Sequence, residues 1–291
     1  MDADTFSDPK VQQFMRDHFV VTRVNAEKGE GVDLKERYSV PGYPTMIFVD
    51  TQGREIDRLI GYRPPDAFLA KADSVSRNLG TVPFLEQAVA QDPNDGALWK
   101  RLAAKYEERG DYQRAHHVWE SLAELGSQPQ DLVEYKLLTL QARLDHDPAP
   151  LVRFVHDHPD HAYLPDIYNA GLSLFRRQDA PEEEGKFFLS FVNYMEKQGK
   201  GGPGLWNSFA WRMTEIEQNL PVALDKITRA VDLMQNSEPK DRAQVMDTQA
   251  EVLWKLGRTA EALDVMEKCI ALQPDDPYYQ KQKEKFLGKA S

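Results

Sequence analysis

The sequence predicts an α/β unit over residues 1–80 followed by an all-α solenoid over residues 83–291. Three observations carry that expectation. Thr45–Val49 is a short, β-rich apolar run that follows the turn residues Pro41, Gly42 and Pro44 and ends at Asp50. Strand signals stop at Gly80-Thr81-Val82-Pro83, a plausible domain boundary. From Phe84 to Leu287 almost every stretch has helical apolar spacing, broken by short Gly, Asp, Pro or Asn turns.

Within the first unit the order is specific. Asp8–Phe14 reads as a helix, Phe19–Val24 as a strand and Val32–Tyr38 as a helix. The Pro/Gly turn and the strand Thr45–Val49 follow. Pro44 cannot donate to a ladder, so it belongs at the strand's mouth, and the Tyr43-Pro44 bond is one where the cis form is cheap. Gln52-Gly53 turns the chain into a second strand, Glu55–Ile60. Gly61 and a helix from Pro65 to about Leu79 close the unit.

This order resembles the thioredoxin fold from its second core strand onward. Tyr43-Pro44-Thr45 stands where that family has its cis-proline, and Gly61-Tyr62 matches its closing motif. Thr5-Phe6-Ser7-Asp8-Pro9 with Val11-Gln12 resembles the segment after the active-site helix in thioredoxin-like proteins of the bacterial disulfide-reductase type. In that group a Cys-x-x-Cys-Lys precedes this segment, which would put the redox pair just upstream of Met1. We therefore expect the chain to begin just after the redox chemistry, without the first core strand. Two strand edges would face the resulting gap, and an open edge would permit a homodimer. Either the chain starts late or another segment fills the slot; we expect the former. The resemblance also implies that Tyr43, with Pro44 and Thr45, offers backbone to an extended substrate segment.

The second half resembles tetratricopeptide repeats. Trp99, Leu102, Ala103, Tyr106, Gly110, Tyr112, Ala115 and Trp119 fall at that pattern's positions, and Ala250, Leu253, Gly257, Ala262, Met266 and Pro274 repeat them. Small residues let paired helices approach, and glycine opens the turn between them. Looser copies are Trp206 and Ala210 with Ala223, Ile167 and Gly171 with Phe187, and Leu132–Leu144 with Leu151–Val155. We expect five hairpins, a leading helix Phe84–Ala90 and a capping helix Pro277–Leu287, stacked into a superhelix with a concave side.

Charge and cysteine content narrow the function. The net charge is −11 and no basic run is present, which argues against nucleic-acid binding. No apolar stretch reaches membrane-spanning length. No signal peptide is visible, which leaves the compartment open: cytoplasmic as the sequence stands, periplasmic if a signal lies upstream. The single cysteine, Cys269, excludes dithiol chemistry within these residues and reads as a buried hydrophobe on an apolar helical pattern. No cofactor motif is present.

Pattern position places Lys100 and Ala104, Asn207 and Trp211, and Asp247 and Glu251 on the inward face, each pair one helical turn apart. Some tetratricopeptide proteins clamp acidic C-termini with a cation and an amide at two such positions. Lys100 supplies the cation here, but Ala104 supplies no amide, so we expect peptide binding by the groove in another mode. His156, His158 and His161 flank Pro159, which breaks any helical metal spacing, and read as a polar turn. Glu182, Glu183 and Glu184 at a helix start suit the helix dipole, and Phe187, Phe188, Phe191 and Tyr194 read as core.

Two functions follow. One is a redox-inactive member of the thioredoxin family whose repeats dock protein or peptide clients. The other is a late-start form of a thiol-disulfide oxidoreductase whose Cys-x-x-Cys lies upstream.

Overall fold

The computed structural model describes residues 1 and 3–288 and forms two units, one of Met1–Asp145 and one beginning at His146. The first opens with α1 (Pro9–His18) and α2 (Glu30–Arg37), then β1 (Thr45–Val49), β2 (Glu55–Ile60) and α3 (Pro65–Ser76). Asp8 starts α1 by accepting the N–H groups of Lys10 and Val11 at 2.8 and 3.2 Å, two donors the helix cannot satisfy itself. β1 and β2 pair antiparallel in a two-stranded sheet. Phe48 and Leu59 on one face pack with Val11 of α1 and with Phe68, Ala72 and Val75 of α3 to form the core.

The expected strand Phe19–Val24 does not form. Phe19 packs its ring 5.3 Å from Phe48, but residues 19–25 enter no ladder. Val20 and Val21 are exposed. The apolar run has strand composition, yet a strand exists only with a hydrogen-bonding neighbour, and no described residue supplies one.

β2 carries buried charges. Phe48 faces Asp57 and Val49 faces Glu55, so Ile56 is an extra residue that shifts the register. This bulge turns Glu55 onto the same face as Arg58. Arg58, 1% exposed, donates Nε and Nη2 to the two Glu55 oxygens at 2.7 Å each. Its remaining donors reach the Tyr38 carbonyl at 2.7 Å and the Glu108 carbonyl at 3.2 Å. Glu108 ends α5 (Gly96–Glu108), where helix carbonyls lack partners and a cation is favoured. On the opposite face Asp57 accepts Lys105 of α5 at 2.6 Å and also Lys71 of α3. Burial alone would lower the Lys105 pKa, but Asp57 outweighs it and the net direction is up.

The rest of this unit is helical: α4 (Val82–Gln91), α5, α6 (Tyr112–Leu125) and α7 (Gln130–Leu144), packed in sequence. Thr81, Asp95 and Asp111 cap three of them. Ala103 and Ala115 are fully buried where α5 and α6 cross, and Gly110 turns between them at φ 72°.

The second unit contains α8 (Ala149–Asp157), α9 (Leu164–Arg177), α10 (Pro181–Lys197), α11 (Pro203–Ile216), α12 (Leu220–Leu233), α13 (Pro239–Lys255), α14 (Thr259–Leu272) and α15 (Pro277–Phe286). The hairpins are α9/α10, α11/α12 and α13/α14, with α15 on α14. Ala210 and Ala223, and Ala250 and Ala262, are buried without exposure at their crossings. In α9/α10 the small residue is Gly171: a Cβ there would lie 2.5 Å from Phe187 Cε1. Leu132–Leu144 and Leu151–Val155, expected as one hairpin, both form helices; α7 packs on α6 in the first unit and α8 on α9 in the second.

Candidate functional site

A cavity of about 590 Å³ opens in the second unit beside α11, α13 and α15. Asn207 and Trp211 reach it from successive turns of α11, Asp247 from α13, and Tyr278 and Tyr279 from α15. Asn207, Trp211 and Asp247 are thus brought together. Glu251 stands one turn beyond Asp247, buried, with both oxygens accepting Lys285 Nζ at 2.8 Å. Lys100 and Ala104 lie exposed on α5 of the first unit.

Arginines line one side of the groove, and an acid outside the expected set holds them. Glu184 of α10 is 1% exposed and does more than complement a helix end. It accepts Arg176 Nε at 2.7 Å and Arg212 Nε and Nη2 at 2.8 and 2.7 Å. Burial raises its pKa, but the two guanidiniums outweigh that and hold it below the ordinary glutamate value. Glu215 meets the same array, accepting Arg212 Nη1 at 2.9 Å and the Trp211 indole at 3.0 Å.

Asp247 has the most unusual environment. Its Oδ2 accepts the Tyr278 hydroxyl at 3.0 Å, and Gln282 donates to that hydroxyl at 2.6 Å. Its Oδ1 is buried and, among the described residues, receives no hydrogen bond. Asn207 Oδ1 is in the same condition. Burial pushes the Asp247 pKa up to about 6, with the Tyr278 hydrogen bond opposing and Glu251 adding to the rise. A groove with aromatic walls and two unsatisfied acceptors can take a ligand that brings donors.

Tyr43-Pro44-Thr45 lies at the mouth of β1, with the Tyr43–Pro44 peptide cis. Thr45 Oγ1 donates to the Gly42 carbonyl at 2.7 Å, and the Gly61 N–H donates to the Pro44 carbonyl at 2.8 Å. The Tyr43 side chain is exposed, with Lys35 Nζ 5.8 Å from its ring centre. Among the described residues β1 pairs on one side only. His158 and His161 pack around the Phe154 ring, at 4.3 and 5.0 Å between centres. No cluster able to hold a metal occurs among the described residues, nor a helix long and apolar enough to cross a membrane.

The sequence signals for Glu184, Arg176, Arg212 and Tyr278 were weak. An acid in a helix's first turn reads as a dipole partner. Only the packing of α9, α10 and α11 shows where Glu184 points.

Residues 1–76 match the thioredoxin-like domain family and residues 84–117 match a tetratricopeptide repeat. Over 68 residues the chain is 43% identical to the thiol:disulfide interchange protein DsbD of Haemophilus influenzae strain PittEE. That match takes in 22% of this chain, which spans only 12% of the relative's length. Two solved structures are similar. YrrB, a TPR protein with an unusual peptide-binding site, aligns at TM-score 0.44 and 14% identity, over 69% of this chain and 97% of that one. The TPR domain of P58(IPK) aligns at TM-score 0.31 and 14% identity, over 77% and 62%.

Proposed function

From a chain that joins a thioredoxin-like domain to tetratricopeptide-type hairpins, we propose a recognition protein that binds peptide or protein clients without thiol chemistry of its own. The observation that carries the reading is that two groove-lining residues, Asn207 and Asp247, each hold a buried Oδ1 that receives no hydrogen bond among the described residues. Leaving such atoms unbonded costs stability, so their retention suits a ligand that satisfies them. Random-peptide display against the full chain tests it. Enriched peptides should lose about tenfold in affinity on Asn207→Ala and Trp211→Ala, about the worth of one good hydrogen bond or aromatic contact. Failure to enrich, or equal binding by both variants, would refute the proposal.

The absence of thiol exchange rests on Cys269. It is the sequence's one cysteine, it is buried without exposure, and its Sγ lies 3.5 Å from the Ala243 carbonyl. Burial pushes the thiol up to about 12, so the thiolate that exchange requires is scarce. A second reading, thiol–disulfide exchange by a longer polypeptide containing this one, is favoured by the identity to the interchange proteins. Insulin reduction separates the two: turnover by these residues alone contradicts the first. The unpaired side of β1 is a second proposed contact, between two copies of the chain. It predicts a concentration-dependent dimer in sedimentation, which a proline within β1 would abolish.

A further inference from the structure

We propose that the groove between α11, α13 and α15 selects a basic side chain, lysine or arginine, from its peptide ligand, with Asp247 as the counter-charge and Asn207 as a second acceptor. This rests on the peptide-binding reading above and adds the ligand's chemistry.

The charge inventory leads there. Arg176 and Arg212 are the guanidiniums on the lining, and Glu184 and Glu215 already meet them. Lys285 is taken by Glu251. Asp247 remains as a carboxylate with no ion-pair partner among the described residues, 6% exposed, one oxygen held by Tyr278 and the other unbonded. Asn207 Oδ1, also buried and unbonded, is another acceptor and not a donor. Against Arg176 and Arg212, the acids Glu184, Glu215 and Asp247 leave one negative charge in excess; an anionic ligand would add a second and would leave both acceptors unsatisfied. A neutral backbone N–H could fill one acceptor but not the charge. An ammonium or guanidinium supplies both several donors and the missing charge. Trp211, Tyr278 and Tyr279 on the same lining suit a cation and its methylene stem.

The groups around Asp247 fix the sign of the pH dependence. They are Glu251 on its own helix, Cys269 on α14, Tyr278, Tyr279 and Lys285 on α15, and Arg176, Arg212 and Glu215 across the groove. Asp247 takes up a proton near 6. Preference for a cation should therefore fade as pH falls through that value.

The test is a series of capped Gly-Ser peptides bearing one central lysine, arginine, citrulline, norleucine or glutamate. Each is titrated into the full chain by isothermal titration calorimetry, a readout that every variant below leaves in place. Lysine and arginine peptides should bind at least about tenfold tighter than the other three, the scale of a charge-assisted hydrogen bond. Asp247→Asn should erase that preference. Asp264→Asn, which removes the same charge from an exposed position on α14, should leave it intact. Equal binding across the series overturns this inference and leaves the peptide-binding reading standing. So does a preference that survives Asp247→Asn, or one that Asp264→Asn removes equally. Binding by no peptide, in this series or in the display library, overturns both. Trp211→Ala guards against misfolding of the aspartate variant: it should weaken every peptide while keeping their order, and a changed order also counts against the inference.

Discussion

Asp247→Asn should make the second unit more stable while removing its cation preference. Burial holds the Asp247 carboxyl near 6, against an ordinary value of 3.8. That gap corresponds to about 3 kcal/mol of stability given up at neutral pH by ionising the buried group. The sign is set by which state binds the proton. Between 3.8 and about 6 the unfolded chain has lost it and the folded chain keeps it, so stability falls as pH rises through that window and stays lost above it. At 6% exposure, solvent screening does little to shrink the effect. Asparagine keeps an acceptor for the Tyr278 hydroxyl but buries an amide N–H that needs its own partner, a cost of about 1 kcal/mol. The net gain is about 1–2 kcal/mol, or about 3–6 °C in Tm for a unit of this size. Thermal unfolding followed by circular dichroism, with the Trp206, Trp211 and Trp254 emission, reads it out. The gain should be present at neutral pH and absent well below the ordinary aspartate value. A variant less stable than the parent at neutral pH, or one whose gain ignores pH, would refute the account of Asp247.

Other changes follow from the same geometry. Arg58→Met should cost the first unit about 3 kcal/mol by leaving buried Glu55 with only Arg109, whose Nε stands 3.6 Å away, and adding Glu55→Leu should recover most of it; a double variant no better than the single, by urea denaturation, would contradict the clamp. The Glu184 carboxyl is held below its ordinary 4.5, so the stability it gives is present above that value and lost as pH falls through its folded value. Glu184→Gln should accordingly destabilise at neutral pH by about 2 kcal/mol, because its arginines are partly solvated, and show little difference in acid; pH-dependent urea midpoints check this. Gly171→Ala should destabilise by about 1–2 kcal/mol despite alanine's helix preference, since the new Cβ meets buried Phe187; a neutral or positive effect in thermal melts would contradict that packing. Cys269 should resist alkylation in the folded chain and react at once in denaturant, measured by mass spectrometry.

The hairpins were legible because their signals are local and steric. Ala103, Ala115, Ala250 and Ala262 mark close crossings, and Gly110 and Gly257 mark left-handed turns at φ 72° and 76°. β1 and β2 were legible for similar reasons, from turn residues and β-rich runs. Phe19–Val24 was misread because composition reports how a residue suits a strand, while a strand also needs a neighbour. The groove was half legible. Helical spacing put Asn207, Trp211 and Asp247 on inward faces, and the structure places them on one cavity. The roles of Glu184 and Tyr278 were hidden, because each acts across helices brought together only by packing. Buried Glu55, Asp57 and Arg58 were hidden too, since a β-bulge sets which face each occupies.

Hydrogen exchange by mass spectrometry on the full chain, with and without a display-selected peptide, tests the recognition claim most directly. The account predicts slowed exchange over α11, α13 and α15, needing about tenfold more peptide when its basic residue is replaced by norleucine. Protection confined to β1 and residues 19–25, with those three helices unchanged, would contradict it.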